Sequence, residues 1–202
     1  MKYNYILLII GILIIFSVKS QTDSSKINLD EFEVTTTRVS NKSPVAHENI
    51  SNEDIEVNNH GVDLPILLDQ ATSIVTTSDA GAGVGYTGIR VRGSDATRVN
   101  ITINGIPFND PESQGAYWVN MPDLSSSTDD IQIQRGIGAS TTGASAFGAS
   151  INLSTLSMVN ANKPYGEIAN SYGSFNTLKN TIKLGTGLID GKWNFEGRLS
   201  KI

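Results

Sequence analysis

Residues 163–202 alternate between apolar and polar side chains with a period of two. In "NTLKNTIKLGTGL" the two alternating sets are apolar Leu178, Ile182, Leu184 and Leu188 and polar Thr177, Lys179, Thr181 and Lys183. After the turn dipeptide Asp190-Gly191 the sets are Trp193, Phe195 and Leu199 against Lys192, Asn194, Glu196, Arg198 and Ser200. Residues of one parity share one face of a strand, so the pattern predicts long amphipathic strands. "YGEIANSYGSF", from Tyr165, predicts a weaker first strand of the series.

These strands fit two architectures. They suit an outer-membrane β-barrel wall, apolar toward lipid and polar toward the lumen, or a soluble antiparallel sheet with one wet face. Residues 1–20 favour the barrel, because Lys2, the apolar run from Tyr5 to Phe16 and small residues near Ser20 form a secretory signal-peptide pattern. A membrane anchor is the alternative, but a spanning helix needs about 20 apolar residues and this run is shorter.

The number of strands leads to a further expectation. Three strands cannot close a barrel, and an open edge in lipid leaves backbone N–H and C=O groups unpaired. The sequence also stops within the third strand, at Ile202. We therefore expect residues 163–202 to be the truncated start of a wall that continues in a longer polypeptide.

The middle of the chain predicts a compact α+β unit. "SNED", from Ser51, is typical of a helix start, and Pro65 in "LPILLDQA" suits the first turn of a second helix. Asn104-Gly105 predicts a two-residue hairpin turn. Strand patterns begin at six positions: Ser73, Ile89, Arg98, Ile106, Asp130 and Ala149.

A glycine-rich stretch, "GAGVGYTGIRVRG", contains the spacing of a dinucleotide-binding motif at Gly83, Gly85 and Gly88. That motif needs a helix opening at the glycines, whereas the residues from Ile89 to Arg92 alternate as a strand does. We expect the glycines to permit positive φ and close backbone approach in a confined loop.

Composition excludes several classes of function. The net charge of −5 and the pI near 5.0 argue against a nucleic-acid partner. Cysteine is absent, His47 and His60 lie in polar, loop-like sequence, and no serine occupies a nucleophile elbow. We therefore predict no enzyme, no cofactor and no metal site.

Several segments, in this order, resemble a TonB-dependent outer-membrane receptor. They are "LDEFEVTTTR" from Leu29, "IRVRGSDATRVNITINGIPFND" from Ile89, "DIQIQRGIGAS" from Asp130, "FGASINLST" from Phe147 and the strands after Lys163. The sequence departs from the family at Glu33, Thr36, Thr142 and Ala149. The resemblance implies an α+β plug domain with a mixed β-sheet inside a transmembrane antiparallel barrel of roughly 22 strands. It divides the chain into a signal peptide (1–20), a periplasmic tail with a TonB box (21–42), a plug (43–158) and first barrel strands (163–202).

The resemblance also implies energy-coupled uptake through the bacterial outer membrane. TonB would pair with an extended box by strand addition, and the box residues are Phe32, Glu33, Val34, Thr35 and Thr36. The alternative for this segment is a polar linker. The expected partners are TonB, outer-membrane lipid and a small nutrient. An iron complex is favoured over haem, cobalamin or an oligosaccharide, because iron complexes are the most frequent ligands of the family. A secreted β-rich adhesion protein is the competing function.

Two further sets of residues are predicted to act in such a receptor. The outward-facing ligand loops contribute Asp79, Tyr86, Asp110, Glu112, Gln114, Tyr117 and Trp118. The arginines expected to pair with carboxylates on the barrel lumen are Arg90, Arg92, Arg98 and Arg135, since buried arginine is costly unless paired. The alternatives are packing for the loop residues and exposure to solvent for the arginines.

Overall fold

A computed structural model describes residues 38–40, 43–137, 143–144, 146–155 and 163–202. The predicted signal peptide and the predicted TonB box, Phe32 to Thr36, lie outside the described residues.

A five-stranded mixed sheet forms the centre of the α+β unit. Along the chain, strands β1 to β7 are His47–Ile50, Ile74–Ser78, Thr87–Val91, Val99–Ile103, Ile106–Pro107, Asp130–Arg135 and Ala149–Ser154. The order in the sheet is β1-β6-β7-β4-β5, and β4 and β7 are parallel while the other pairs are antiparallel. β2 and β3 form a separate antiparallel pair. The predicted α+β class with a mixed sheet is confirmed.

Alternation along the three central strands gives this sheet two buried faces of different chemistry. The apolar face carries Val99, Ile101, Ile131, Ile133, Ile151 and Leu153. The polar face carries Asn100, Thr102, Gln132, Gln134, Ser150 and Asn152. Buried polar groups need partners, and Thr102 Oγ1 donates to Asn152 Oδ1 at 2.6 Å. The Gln132 amide accepts from the Val39 N–H at 2.8 Å and donates to the Val39 carbonyl at 3.0 Å.

Two short helices cover the apolar face. Helix α1 is Asn52–Asn58, and the Ser51 and Asp54 side chains form a reciprocal capping box at its start. Helix α2 is Leu64–Leu67, with Pro65 in its first turn. Ile55, Leu64 and Leu68 are fully buried in the core. Both helix starts predicted from the sequence are therefore confirmed.

Two local predictions in the sheet can be compared with the structure. Asn104 and Gly105 have φ of 52° and 79°, as the predicted hairpin turn requires. The assignment of His47 to a loop is wrong, because His47 pairs with Gln134 at the start of β1. Of the four residues of β1 only Ile50 favours a strand, so the local signal is weak, and the pairing depends on β6, which lies far away in the chain.

The glycine-rich loop ends in a strand, as predicted. Gly83 and Gly85 have φ of 74° and 101°, a region that only glycine enters readily. β3 follows at Thr87. No helix begins at these glycines, so the dinucleotide motif lacks the element that binds phosphate.

A three-stranded antiparallel sheet follows the α+β unit, with order β10-β9-β8. Its strands are β8, β9 and β10, which span Tyr165–Tyr172, Leu178–Gly185 and Glu196–Lys201. The sequence pattern predicts that the third strand resumes near Trp193, but β10 begins later. The Ile189 N–H donates to the Trp193 carbonyl at 2.7 Å, so a local turn takes up backbone groups that the sheet would use. Within the described ranges, no helix has the length and hydropathy needed to cross a membrane.

Candidate functional site

The three-stranded sheet turns its polar face toward the α+β unit. Lys179 is 4% exposed, and Thr181 is also buried. On the opposite face Ile168 is 72% exposed, and Ile182 and Leu199 are likewise uncovered. A soluble sheet buries its apolar face and wets its polar one. The observed arrangement is the reverse, and it is the arrangement of a barrel wall around a polar lumen.

One outward-facing row of this sheet is polar. Asn170 pairs with Asn180, which pairs with Lys201, and all three share the parity of Ile168, Ile182 and Leu199. The row lies next to the last pair before the turn, Tyr172 with Leu178. Apolar side chains flank this row on both sides, with Tyr172 and Leu178 toward the turn and Ile168, Ile182 and Leu199 away from it.

A buried ion cluster joins the α+β unit to the three-stranded sheet. Asp123 lies in a left-handed backbone conformation, with φ of 56°. Lys179 Nζ is 2.7 Å from Asp123 Oδ1, and Arg198 Nη1 donates to Asp123 Oδ2 at 2.7 Å. Ser200 Oγ also donates to Oδ2, and Ser126 Oγ donates to Oδ1 at 2.7 Å. One carboxylate thus holds two strands, β9 and β10.

The cluster is saturated with hydrogen bonds. Lys179 Nζ also donates to Asn59 Oδ1 and Ser126 Oγ, both at 2.8 Å, so its three N–H groups have three acceptors. Burial raises the pKa of the Asp123 carboxyl, but hydrogen bonds from Lys179, Ser200 and Ser126 outweigh it and hold the pKa below its ordinary value. Asp123 is therefore ionised at neutral pH and balances the buried lysine.

The sequence does not predict this cluster, and the predicted distribution of charge is the opposite. The prediction puts arginines on the plug and carboxylates on the barrel wall, whereas here Asp123 belongs to the α+β unit and Lys179 and Arg198 belong to the three-stranded sheet. Lys179 and Arg198 lie on the polar parity of their strands, so the barrel interpretation of these strands predicts that they face inward. Asp123 gave no comparable signal, because it follows Pro122 in an irregular loop.

The four predicted plug arginines have different surroundings. Arg135 lies 2.6 Å from Glu48 of the same α+β unit, so the expectation of a barrel carboxylate is wrong for Arg135. Burial raises the pKa of Glu48, but hydrogen bonds from Arg135 and the Thr72 N–H bring it below its ordinary value. Arg90, Arg92 and Arg98 are exposed, and Arg90 is 4.0 Å from Asp95. For these three, a wall partner stays a prediction.

A cavity of about 320 Å³ lies between the two loops that the sequence analysis assigned to ligand binding. Asp79 and Tyr86 of the first loop line it together with Tyr117 and Trp118 of the second. Tyr86 is 69% exposed and Tyr117 is about half exposed. The fold thus brings four of the seven predicted ligand residues to one place, where carboxylate, phenol and indole groups are available.

Trp118 plays a different part from the one expected. It is only 3% exposed, and its ring centroid lies 6.4 Å from that of Phe108. The indole is therefore a member of the hydrophobic core that also borders the cavity. An exposed stacking surface at Trp118 was the wrong expectation, because the loop folds inward at this residue.

The other three predicted ligand residues lie in the second loop, and they do not line this cavity. The Asp110 carboxylate accepts hydrogen bonds from the Ser113 N–H and hydroxyl, both at 2.7 Å, and these bonds lower the pKa of Asp110. Gln114 has φ of 57°, and Glu112 is exposed. Asp110 and Gln114 shape the loop, and a ligand role for any of the three stays a prediction.

Comparison with known proteins decides the family. Residues 39–150 match the model of the TonB-dependent receptor plug domain, which is more than half of the chain. The chain belongs to this family. The plug is the α+β unit described above, and the protein is a TonB-dependent receptor of the bacterial outer membrane. The family does not favour the alternative of a secreted adhesion protein.

Solved receptor structures share the fold. The ferric yersiniabactin uptake receptor FyuA from Yersinia pestis has a TM-score of 0.57 at 19% identity, covering 77% of this chain and 24% of its own. FpvA from Pseudomonas aeruginosa, bound to a heterologous pyoverdine, has a TM-score of 0.62 at 15% identity, covering 79% and 20%. The hemophore receptor HasR from Serratia marcescens, in complex with HasA and heme, has a TM-score of 0.53 at 20% identity, covering 72% and 22%.

The match extends over only part of each receptor. This chain spans about a quarter or less of the length of the three receptors it matches. No curated protein sequence is significantly similar to it. All three matched proteins are receptors rather than enzymes.

Proposed function

We propose that this protein takes up a scarce nutrient, an iron complex of the siderophore kind, through the outer membrane with energy delivered by TonB. The observation that carries the proposal is the plug-family match at residues 39–150. It is followed in the chain by strands that bury their polar face and expose their apolar face. The division into signal peptide (1–20), periplasmic tail (21–42), plug (43–158) and first wall strands (163–202) is part of this proposal.

In this account TonB acts on residues 32–36. These residues would add as a strand to a sheet edge of TonB, through main-chain hydrogen bonds. The segment that follows is held on the plug, because Arg38 forms an ion pair with Asp130 and Val39 pairs with the Gln132 amide. A pull on the box would therefore reach β6 of the central sheet within a few residues.

The ligand site in this account is the cavity between the two loops. Asp79, Tyr86 and Tyr117 offer an acceptor and two phenols with aromatic faces. Such groups suit a polar, partly aromatic chelate. FyuA is an uptake receptor for ferric yersiniabactin, FpvA binds iron-loaded pyoverdine, and HasR forms a complex with HasA and heme. These ligands support the choice of an iron complex.

Two kinds of variant separate transport from ligand binding. Val34→Pro in the full-length protein removes a backbone donor from the box. We expect it to abolish iron accumulation while leaving binding at the cell surface intact. The probes are radiolabelled ferric yersiniabactin, ferripyoverdine and haem, given to a strain lacking its own receptor. Normal accumulation with Val34→Pro would contradict the assignment of the box.

The second variant is Tyr86→Ala combined with Tyr117→Ala. Losing two exposed phenols should weaken binding of the transported probe by about tenfold or more, because buried interfaces depend on a few aromatic contacts. The amount of receptor in the membrane should not change, since neither ring belongs to the core. Tyr172→Ala, on the outward face of β8, is the matched control and should bind normally. Unchanged affinity in the double variant would place the ligand elsewhere.

A further inference from the structure

We propose that Asp63 is the positioning residue of the ligand cavity, fixing the glycine-rich loop of residues 79–86 that forms one wall. The role of the cavity in ligand binding rests on the proposed function. The attachment of the loop to Asp63 rests only on hydrogen bonds within the plug.

The Asp63 side chain ties two segments of the plug together. It precedes helix α2 and is 3% exposed. Its Oδ2 accepts a hydrogen bond from the Gly85 N–H at 2.9 Å and another from Thr87 Oγ1 at 3.0 Å. One carboxylate oxygen thus holds the residues on both sides of Tyr86, which lines the cavity.

Backbone contacts support the same attachment. The Asp63 N–H donates to the Gly83 carbonyl at 2.8 Å. A Cβ added to Gly83 would lie 3.2 Å from Val62 Cγ1, so the loop approaches the residue before Asp63 closely. The Gly83 N–H donates to Ser78 Oγ at 3.1 Å. The base of the loop is held by these bonds, while Tyr86 stays exposed above it.

Uncharged groups hold the Asp63 carboxylate. Its hydrogen-bond donors are an amide and a hydroxyl, both neutral. Burial raises the pKa of its carboxyl, although the hydrogen bonds from Thr87 and Gly85 oppose the rise. Among the residues that the structure describes, no cation forms an ion pair with Asp63, and burying an unpaired carboxylate is unfavourable for folding. In return, this carboxylate holds the glycine-rich loop in position.

Hydrogen exchange in the full-length protein tests the proposal without any ligand. In Asp63→Ala the Gly85 amide should exchange about tenfold faster, the amount expected for one lost hydrogen bond. Asp63→Asn keeps an acceptor at the same place and should restore protection to within about threefold of wild type. Asp69→Ala is the matched control, because Asp69 also accepts from a threonine, Thr76, at 2.8 Å, but outside the cavity. It should leave Gly85 unchanged.

Other outcomes would overturn the proposal. Wild-type protection of Gly85 in Asp63→Ala, or equal loss in the Asn and Ala variants, would show that the acceptor does not fix the loop. Faster exchange throughout the plug would mean a general structural role. If Asp63→Ala does not fold, Asp63→Ser keeps a residue suited to the start of helix α2 but shortens the side chain that reaches Gly85, and wild-type exchange at Gly85 in that variant would then contradict the proposal. Failure of every iron probe to accumulate would count against the proposed function alone.

Discussion

Replacing Asp123 with asparagine is expected to destabilise the full-length protein by about 3 kcal/mol, because Lys179 and Arg198 would lose their shared carboxylate. Lys179 is buried, so losing the carboxylate would leave a buried cation without its counter-charge. Asparagine tolerates the left-handed backbone of Asp123, so the change removes charge without adding backbone strain. Chemical denaturation of the purified protein measures the loss.

The same variant should loosen the plug against the wall. Conductance across a planar bilayer, or killing by large antibiotics that the outer membrane normally excludes, should rise well above wild type. Glu196→Gln is the matched control, since Glu196 pairs with Lys183 at 3.3 Å entirely within the wall. A tight barrier in Asp123→Asn, equal to that of Glu196→Gln, would show that the cluster does not hold the plug.

Acid should reproduce the effect of Asp123→Asn in the wild-type protein. The pKa of Asp123 is lower in the folded state than its ordinary value, so its contribution is fully present above about pH 4. That contribution is lost as the pH falls through the lowered pKa. The free energy of unfolding of the wild type should therefore decline more steeply below about pH 4 than that of Asp123→Asn. Equal slopes for the two proteins would show that Asp123 does not contribute this stability.

Arginine at Ile168 is expected to prevent most of the protein from assembling in the outer membrane. Ile168 lies on the outward, apolar face of β8. An arginine on the lipid side of a barrel costs about 2–4 kcal/mol near the middle of the bilayer. The folded fraction, read from the mobility of unheated membrane samples on a gel, should drop several-fold.

Ala169→Arg is the matched control for this change. Ala169 is the next residue of the same strand and lines a polar cavity of about 310 Å³ between α1 and the three-stranded sheet. Arginine there faces water and polar groups, and assembly should proceed. If both variants assembled equally well, the outward face of β8 would not lie against lipid.

The sequence predicts the elements of this fold better than their contacts. The period of two in β9 and the turn at Asn104 are local, and both follow from the residues themselves. β1 was missed because its pairing with β6 is long-range. Period alone leaves open whether Lys179 faces solvent or the plug, since either answer gives the same alternation.

The candidate sites show the same limit. The two ligand loops were predicted separately, and only the fold brings Tyr86 and Tyr117 to one cavity. The polar sequence of its loop predicts a ligand contact for Trp118, but the side chain is buried in the hydrophobic core. Asp123 and Asp63 are single acidic residues in irregular sequence, and their roles depend on partners that only tertiary packing supplies.

Spin-label accessibility tests the central claim that the strands enclose the plug with their polar face inward and their apolar face in lipid. None of the 202 residues is a cysteine that would take up the label in place of an introduced one. In native outer membrane, labels at Ile168→Cys, Ile182→Cys and Leu199→Cys should collide with oxygen more than with a water-soluble nickel chelate. Ala169→Cys and Glu167→Cys should show the reverse preference. Preferential collision with the nickel chelate at the three apolar positions would contradict the account.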